Sequence, residues 1–194
     1  MSAPPAARPS LAKKLFVVLK SELDQIRPRQ HLFGLLSQAI PRDSGNELRA
    51  SLLRARGIQV GEGTQVRDTP RFTGGEARGF DKFSAGKNCV IGVGCSFEVG
   101  DTITLGDRVT IGHQVLIITT THELGPREHR AGSAVRNPVK IEDGAWIGSR
   151  CVILPGVTIG AGAIVDPGSV VNKDVAAHTR VRGIPAKVVE ELAK

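Results

Sequence analysis

The segment TTTHELGPREHR, residues 119–130, displays His122 and His129 beside Arg130 and follows no regular apolar spacing, although the sequence on both sides repeats every six residues. An imidazole, with an ordinary pKa of roughly 6.5, can take a proton from a weakly acidic group at neutral pH. Three converging imidazoles can instead hold a zinc ion and its hydroxide, and His113, His122 and His129 lie near one another in the chain; three nitrogen ligands are the minimum for that chemistry. An ordinary surface histidine is the third reading. Cys89, Cys95 and Cys151 are an odd set without the paired spacing of a zinc site or a disulfide framework, and read as small apolar fillers. No metal site is expected.

The elements that position His122 are set by the repeat. Val60, Val66 and Phe72 are six residues apart, Ile91 and Phe97 resume the spacing after an irregular stretch, and Leu105, Ile111 and Ile117 follow a small slip. Beyond the interruption, Ile141, Ile147, Ile153, Ile159, Val165 and Val171 continue without a miss. Four residues after each stands a small or modest side chain: Ala145, Cys151, Val157, Ala163, Ser169 and Val175. One aliphatic and one small inward position per unit suit a short strand and a turn, with glycine supplying turn conformations. One such unit cannot bury its apolar side, but stacked units line one another in a thin continuous core. A mainly β solenoid is the expected fold.

Residues 2–9, SAPPAARP, have little to bury and read as a tail. Leu11, Leu15, Leu19 and Leu23 recur every four residues behind Ser10, a candidate cap, and predict an amphipathic helix. Lys13, Lys14 and Lys20 would let it touch an anionic membrane surface, though such a stripe more often docks on its own protein. A second apolar stretch over 32–40 ends before Pro41, and a third helix is predicted over Asn46–Ala55, stopped at Gly57. The expected organisation is a tail and helical segment over 1–56, a repeat domain over 57–189 with an extruded loop at 119–138, and a C-terminal tail over 190–194.

Composition excludes several classes. With 23 glycines and no tyrosine in 194 residues, the core must be aliphatic and packed between tight turns. No apolar run approaches the roughly 20 residues of a bilayer-crossing helix, and no secretion signal stands at the start, so a cytoplasmic location is expected. The net charge is +7, of which residues 1–56 supply +6 from ten basic and four acidic side chains. That segment lacks the interleaved aromatics of a single-strand binder and any DNA-reading motif, so nucleic acid is not an expected partner.

NPVKIEDGAWIGSRCVILPGVTIGAGAIVDPGSVVNKDVAAHTRVRGIPAKVV, residues 137–189, with its WIG, PGVTIG, GSVVNKDV and GIPAKVV, closely resembles the hexapeptide-repeat acyltransferases. Together with LGDRVTIGHQVLIITTTHELG at 105–125, it points to the branch of galactoside and maltose acetyltransferases. The resemblance implies a left-handed parallel β-helix with N-terminal α-helices, assembled as a homotrimer. It also implies direct transfer of an acetyl group from acetyl-CoA to a hydroxyl of a sugar or glycoside, without an acyl-enzyme.

Carried onto this sequence, the family pattern makes His122 the general base on its loop. It puts the oxyanion donors at backbone N–H groups near Gly148 and Ser149, after an outward Trp146 that packs near the active site or anchors an interface. CoA contacts fall on Ser149, Pro167, Asn172 and Lys173, with Lys187 close to the nucleotide and Arg180 and Arg182 adding positive charge. Galactoside-type members hold the acceptor with an asparagine thirty residues before the histidine, where this chain has Gly92. Glu98 and Asp101 flank the register of a family acid and either bind acceptor hydroxyls or form turns; Arg130 either holds an acceptor or pins the loop. Two alternatives remain. The histidine spacing does not reproduce the ligand set of a γ-carbonic-anhydrase-like zinc enzyme, and His122, Trp146, Ser149 and Lys173 speak against a non-catalytic β-helix scaffold or sugar-binding module.

Overall fold

The computed structural model describes residues 28–74 and 79–193; the tail and amphipathic helix expected within 1–27 lie outside the described residues. The described chain is mainly β, preceded by helices α1 (Pro28–Ala39) and α2 (Asn46–Ala55). No helix among the described residues is long and apolar enough to cross a membrane.

Short strands feed three sheets in rotation, and the coils stack in parallel register. On the first face Val60, Ala85, Leu105, Ile141 and Ile159 stand over one another. Val66, Ile91, Ile111, Ile147, Val165 and Val181 form the second ladder, and Phe72, Phe97, Ile117, Ile153 and Val171 the third. These are the six-residue positions, and all but half-buried Phe72 are buried. A strand buried on one face alone alternates in and out, so each coil contributes one apolar layer per side.

Ala85 fills the rung that the sequence pattern skipped between Phe72 and Ile91. Its small side chain hides the period, and Phe83, two residues earlier, supplies the missing volume by packing on Phe72 and Phe97 at ring centroid distances of 5.2 and 4.8 Å. The three cysteines sit in the small inward slots, buried, each donating its S–H to a carbonyl of a following turn: Gly106, Gly112 and Asp166.

The open end of the first coil is covered by α2, whose Ala50 and Leu53 join the same core as Ile58 and Val66. Arg49 is fully buried there, and its guanidinium donates to the carbonyls of Val66 (2.7 Å), Ile40 (3.0 Å) and Pro41 (3.1 Å). A stack end exposes unsatisfied carbonyls, and this one cation ties the helices and the first coil together. At the far end Thr179–Gly183 pairs with the last full coil and folds back on Ala186–Glu191, so ordered strand runs past residue 189.

The segment expected as a loop is an antiparallel hairpin. Thr120–Leu124 pairs with Ala131–Arg136 and, among the described residues, with no other strand, and Asn137 N–H donates to Thr119 O at 2.8 Å to close its base. Most of its side chains are exposed. With no core to face, these strands carry no apolar period, which is why the sequence reads as irregular here.

Candidate active site

His122 lies on the first strand of the hairpin, exposed, with Nδ1 2.9 Å from Gly132 O on the returning strand. The hairpin is rooted in Glu98. One carboxylate oxygen accepts the N–H groups of Thr119 and Thr120, both at 2.9 Å, and the other accepts the Thr120 hydroxyl at 2.9 Å. Burial alone would raise the Glu98 pKa, but these donors outweigh it and hold the carboxyl below its usual range. Asp101 Oδ1 accepts Thr102 N–H at 2.6 Å, while the Asp101 N–H donates to Thr119 Oγ1. Both acids thus accept backbone N–H groups. Arg130 Nη1 reaches Gly125 O at 3.5 Å, within the hairpin's own turn.

A second group occupies the edge between the second and third faces, where each coil turns through a corner residue. Gly92 and Gly148 are corner residues, both buried. A Cβ on Gly92 would fall 2.5 Å from Gly112 O, and one on Gly148 would fall 2.5 Å from Pro167 N. The backbone of the next coil fills the space a side chain would need. Gly92 thus cannot replace a side chain that holds an acceptor, a correction to the acceptor role expected for it. Gly148 N–H is likewise committed, donating to Val165 O at 2.7 Å. The expected oxyanion donor at Gly148 is corrected on that ground. Ser149 N–H makes no hydrogen bond among the described residues. Its Oγ accepts His113 N–H at 3.0 Å, and Arg150 (φ 60°) carries the chain round the turn. Trp146 points outward on the second face, in register between Thr110 and Ile164 and 51% exposed.

The third group caps the stack. Asn172 and Lys173 are exposed after the last third-face strand, and Lys187 is exposed on the terminal hairpin opposite Arg182. Arg180 and Arg182 are not free cations: Nε of each donates to buried Asp166, and Arg180 also meets Glu190.

A single chain does not bring these groups together. The His122 hairpin leaves from the edge between the third and first faces, whereas Gly148, Ser149 and Pro167 lie at the edge between the second and third, with the whole third face between. His113 Nδ1 accepts Val93 N–H at 3.1 Å, and among the described residues no three His, Cys, Asp or Glu side chains gather as a metal site would require. A cavity of about 760 Å³ opens between the end of α1 and the turns of the first two coils, lined by Arg42, Asp68, Arg71 and Ser96 among others. No motif announces it, because its walls come from three separate turns.

The chain matches the family model for the bacterial transferase hexapeptide (six repeats) over residues 138–173, and that for the hexapeptide repeat of succinyl-transferase over residues 84–113. Both matches are to hexapeptide-repeat transferase models, and the chain is similar to that family over these two stretches. This hexapeptide-repeat chain is 35% identical over 78 residues to the galactoside O-acetyltransferase of Escherichia coli K12, a match covering 40% of this chain and 38% of that protein. It thus spans about two fifths of the length of the curated relatives it matches. Among solved structures, a hexapeptide-repeat acetyltransferase of Vibrio cholerae O1 biovar eltor complexed with acetyl coenzyme A is 28% identical, with a TM-score of 0.62 over 90% of this chain and 91% of that one. A galactoside acetyltransferase in complex with coenzyme A is also 28% identical, with a TM-score of 0.66 over 86% and 80%. The two family-model matches enclose Gly92, Glu98, Asp101 and the run from Trp146 to Lys173; His122 and its hairpin lie between them.

Proposed function

We propose that this chain is an acetyl-CoA-dependent O-acetyltransferase acting on a hydroxyl of a sugar or glycoside, with His122 as its general base. The observation that carries the reading is the contact of His122 Nδ1 with Gly132 O. A carbonyl only accepts, so in the neutral ring the proton sits on Nδ1 and the lone pair on Nε2 faces outward, ready to take a proton. As Nε2 removes the acceptor's hydroxyl proton, the oxygen attacks the thioester carbonyl. The C–S bond then breaks, and the proton passes from Nε2 to the departing thiolate. Ser149 N–H is the unengaged donor for the intermediate's oxyanion.

The donor is proposed to lie along Ser149 and Pro167, with Asn172, Lys173 and Lys187 toward its phosphates. Likeness to acetyltransferases complexed with acetyl coenzyme A and with coenzyme A supports the donor, and likeness to a galactoside O-acetyltransferase supports the acceptor class. The same likeness supports the left-handed sense of the coil. Assembly as a homotrimer is part of the proposal, and the separation of the edges supports a site shared between chains. The base on one chain meets the Ser149 edge of a neighbour, and exposed Trp146 gains a surface to cover.

Acetyl-CoA turnover against a panel of sugar, glycoside and amine acceptors, read as free thiol, tests the proposal. Thiol release that depends on a hydroxyl acceptor is expected. Tight CoA binding without transfer to any acceptor would favour the scaffold reading instead.

A further inference from the structure

We propose that Glu98 is a positioning residue for His122: its carboxylate fixes the direction in which the hairpin leaves the coil, and with it the place where the imidazole is presented. The inference rests on the reading of His122 as general base and adds to it a residue that acts through the hairpin root.

Glu98 ends a third-face strand, in register between Thr73 of the coil below and Ile118 of the coil above. The hairpin departs at Thr119, the next residue along. An ionised carboxylate has about four lone-pair sites. Four donors occupy them here: Thr119 N–H and Thr120 N–H on Oε2, both at 2.9 Å, and Gly100 N–H at 3.1 Å and the Thr120 hydroxyl at 2.9 Å on Oε1. No lone pair is left for an acceptor hydroxyl. Thr119 is fully buried, and its hydroxyl donates to Glu98 O at 2.8 Å, closer than Oε2 at 3.1 Å, while accepting Asp101 N–H at 2.9 Å.

The surroundings are cut to fit the carboxylate. A Cβ on Gly74 would collide with Glu98 Oε1, and one on Gly100 would collide with the Thr120 hydroxyl and fall 2.8 Å from the same Oε1. Glycine at both positions leaves the space that the clamp fills.

The hairpin makes this clamp a lever. Its strands pair, among the described residues, with each other alone, and most of their side chains are exposed, so its direction is set at the root. His122 lies two residues beyond Thr120, a reach of about 7 Å along a strand. A tilt of roughly 10° at the root therefore moves the imidazole by about 1 Å, enough to cost on the order of 10²-fold in rate.

The test is a double-mutant cycle on the full chain, reading kcat on a hydroxyl acceptor and calorimetric CoA affinity for wild type, Glu98→Gln, His122→Ala and the pair. Glu98→Gln is expected to lower kcat by about 10- to 10²-fold with CoA affinity unchanged. Added to His122→Ala it should cost nothing further, because a displaced hairpin is harmless once it carries no base. Gly100→Ala keeps the charge but displaces the Thr120 hydroxyl, and should reproduce the loss of kcat. Full kcat in both Glu98→Gln and Gly100→Ala would overturn the positioning role. So would an equal loss from Glu98→Gln in the presence and absence of His122, or a rise in acceptor KM with kcat unchanged, either of which would mark a direct acceptor contact. If His122→Ala alone kept full activity, the general-base reading itself would fall and this inference with it.

Discussion

His122 Nδ1 and the Gly132 carbonyl oxygen are 2.9 Å apart across the two strands of the hairpin. Because the acceptor belongs to the backbone, the tautomer depends on strand pairing rather than on another titrating side chain. Nitrogen NMR of the neutral ring should therefore find Nδ1 protonated and Nε2 bare. Protonation at Nε2 in the neutral form would mean that the ring cannot act as drawn.

Glu98→Gln should loosen the hairpin without touching the coil core. The carboxylate receives donors from both residues at the hairpin's root, and a neutral amide replaces only part of that, for an expected loss of about 1–2 kcal/mol at neutral pH. The native pKa is held below its ordinary value, so the stabilisation is present above the unfolded-state value of roughly 4.3 and is lost as pH falls through the lower native one. Melting curves of wild type and variant should draw together as the pH falls below about 4.3 and meet only under the native value. A gap of constant size down to strong acid would show that the charge on Glu98 contributes nothing.

The thiols should be inert in the native state. Burial pushes all three up, Cys95 to about 11, and a thiol reacts only as thiolate. At pH 8 an alkylating reagent should modify none of them until denaturant is added, and turnover should proceed with no acetyl group on sulfur. Mass spectrometry that found acetylated Cys89, Cys95 or Cys151 during turnover would replace direct transfer with an acyl-enzyme route.

Much of the fold was legible because burial repeats. Ile141 to Val171 stand out since every coil buries the same positions, and Asn46–Ala55 carried its own stop signal in Gly57. Ala85 was hidden because a small residue in the ladder looks like a break, and the hairpin strands because nothing packs on their faces. At the site, residue types were readable while backbone commitments were not. Whether Gly148 or Ser149 has a spare N–H depends on which coil lies above it, and a side-chain pattern carries no trace of that. The Asp166 contacts join residues 14 and 16 positions apart through the coil stack, a spacing that no local motif records.

The most direct measurement is the effect of His122→Ala on acetyl transfer and on CoA binding in the same preparation. The rate on a hydroxyl acceptor should fall by about 10²- to 10⁴-fold, as expected for removal of a general base. CoA affinity should stay near wild type, since the proposed donor contacts lie on the coils and the terminal hairpin. His113→Ala and His129→Ala should retain nearly full rate. Full activity in His122→Ala would contradict the assignment and make His129, on the same hairpin, the residue to test next.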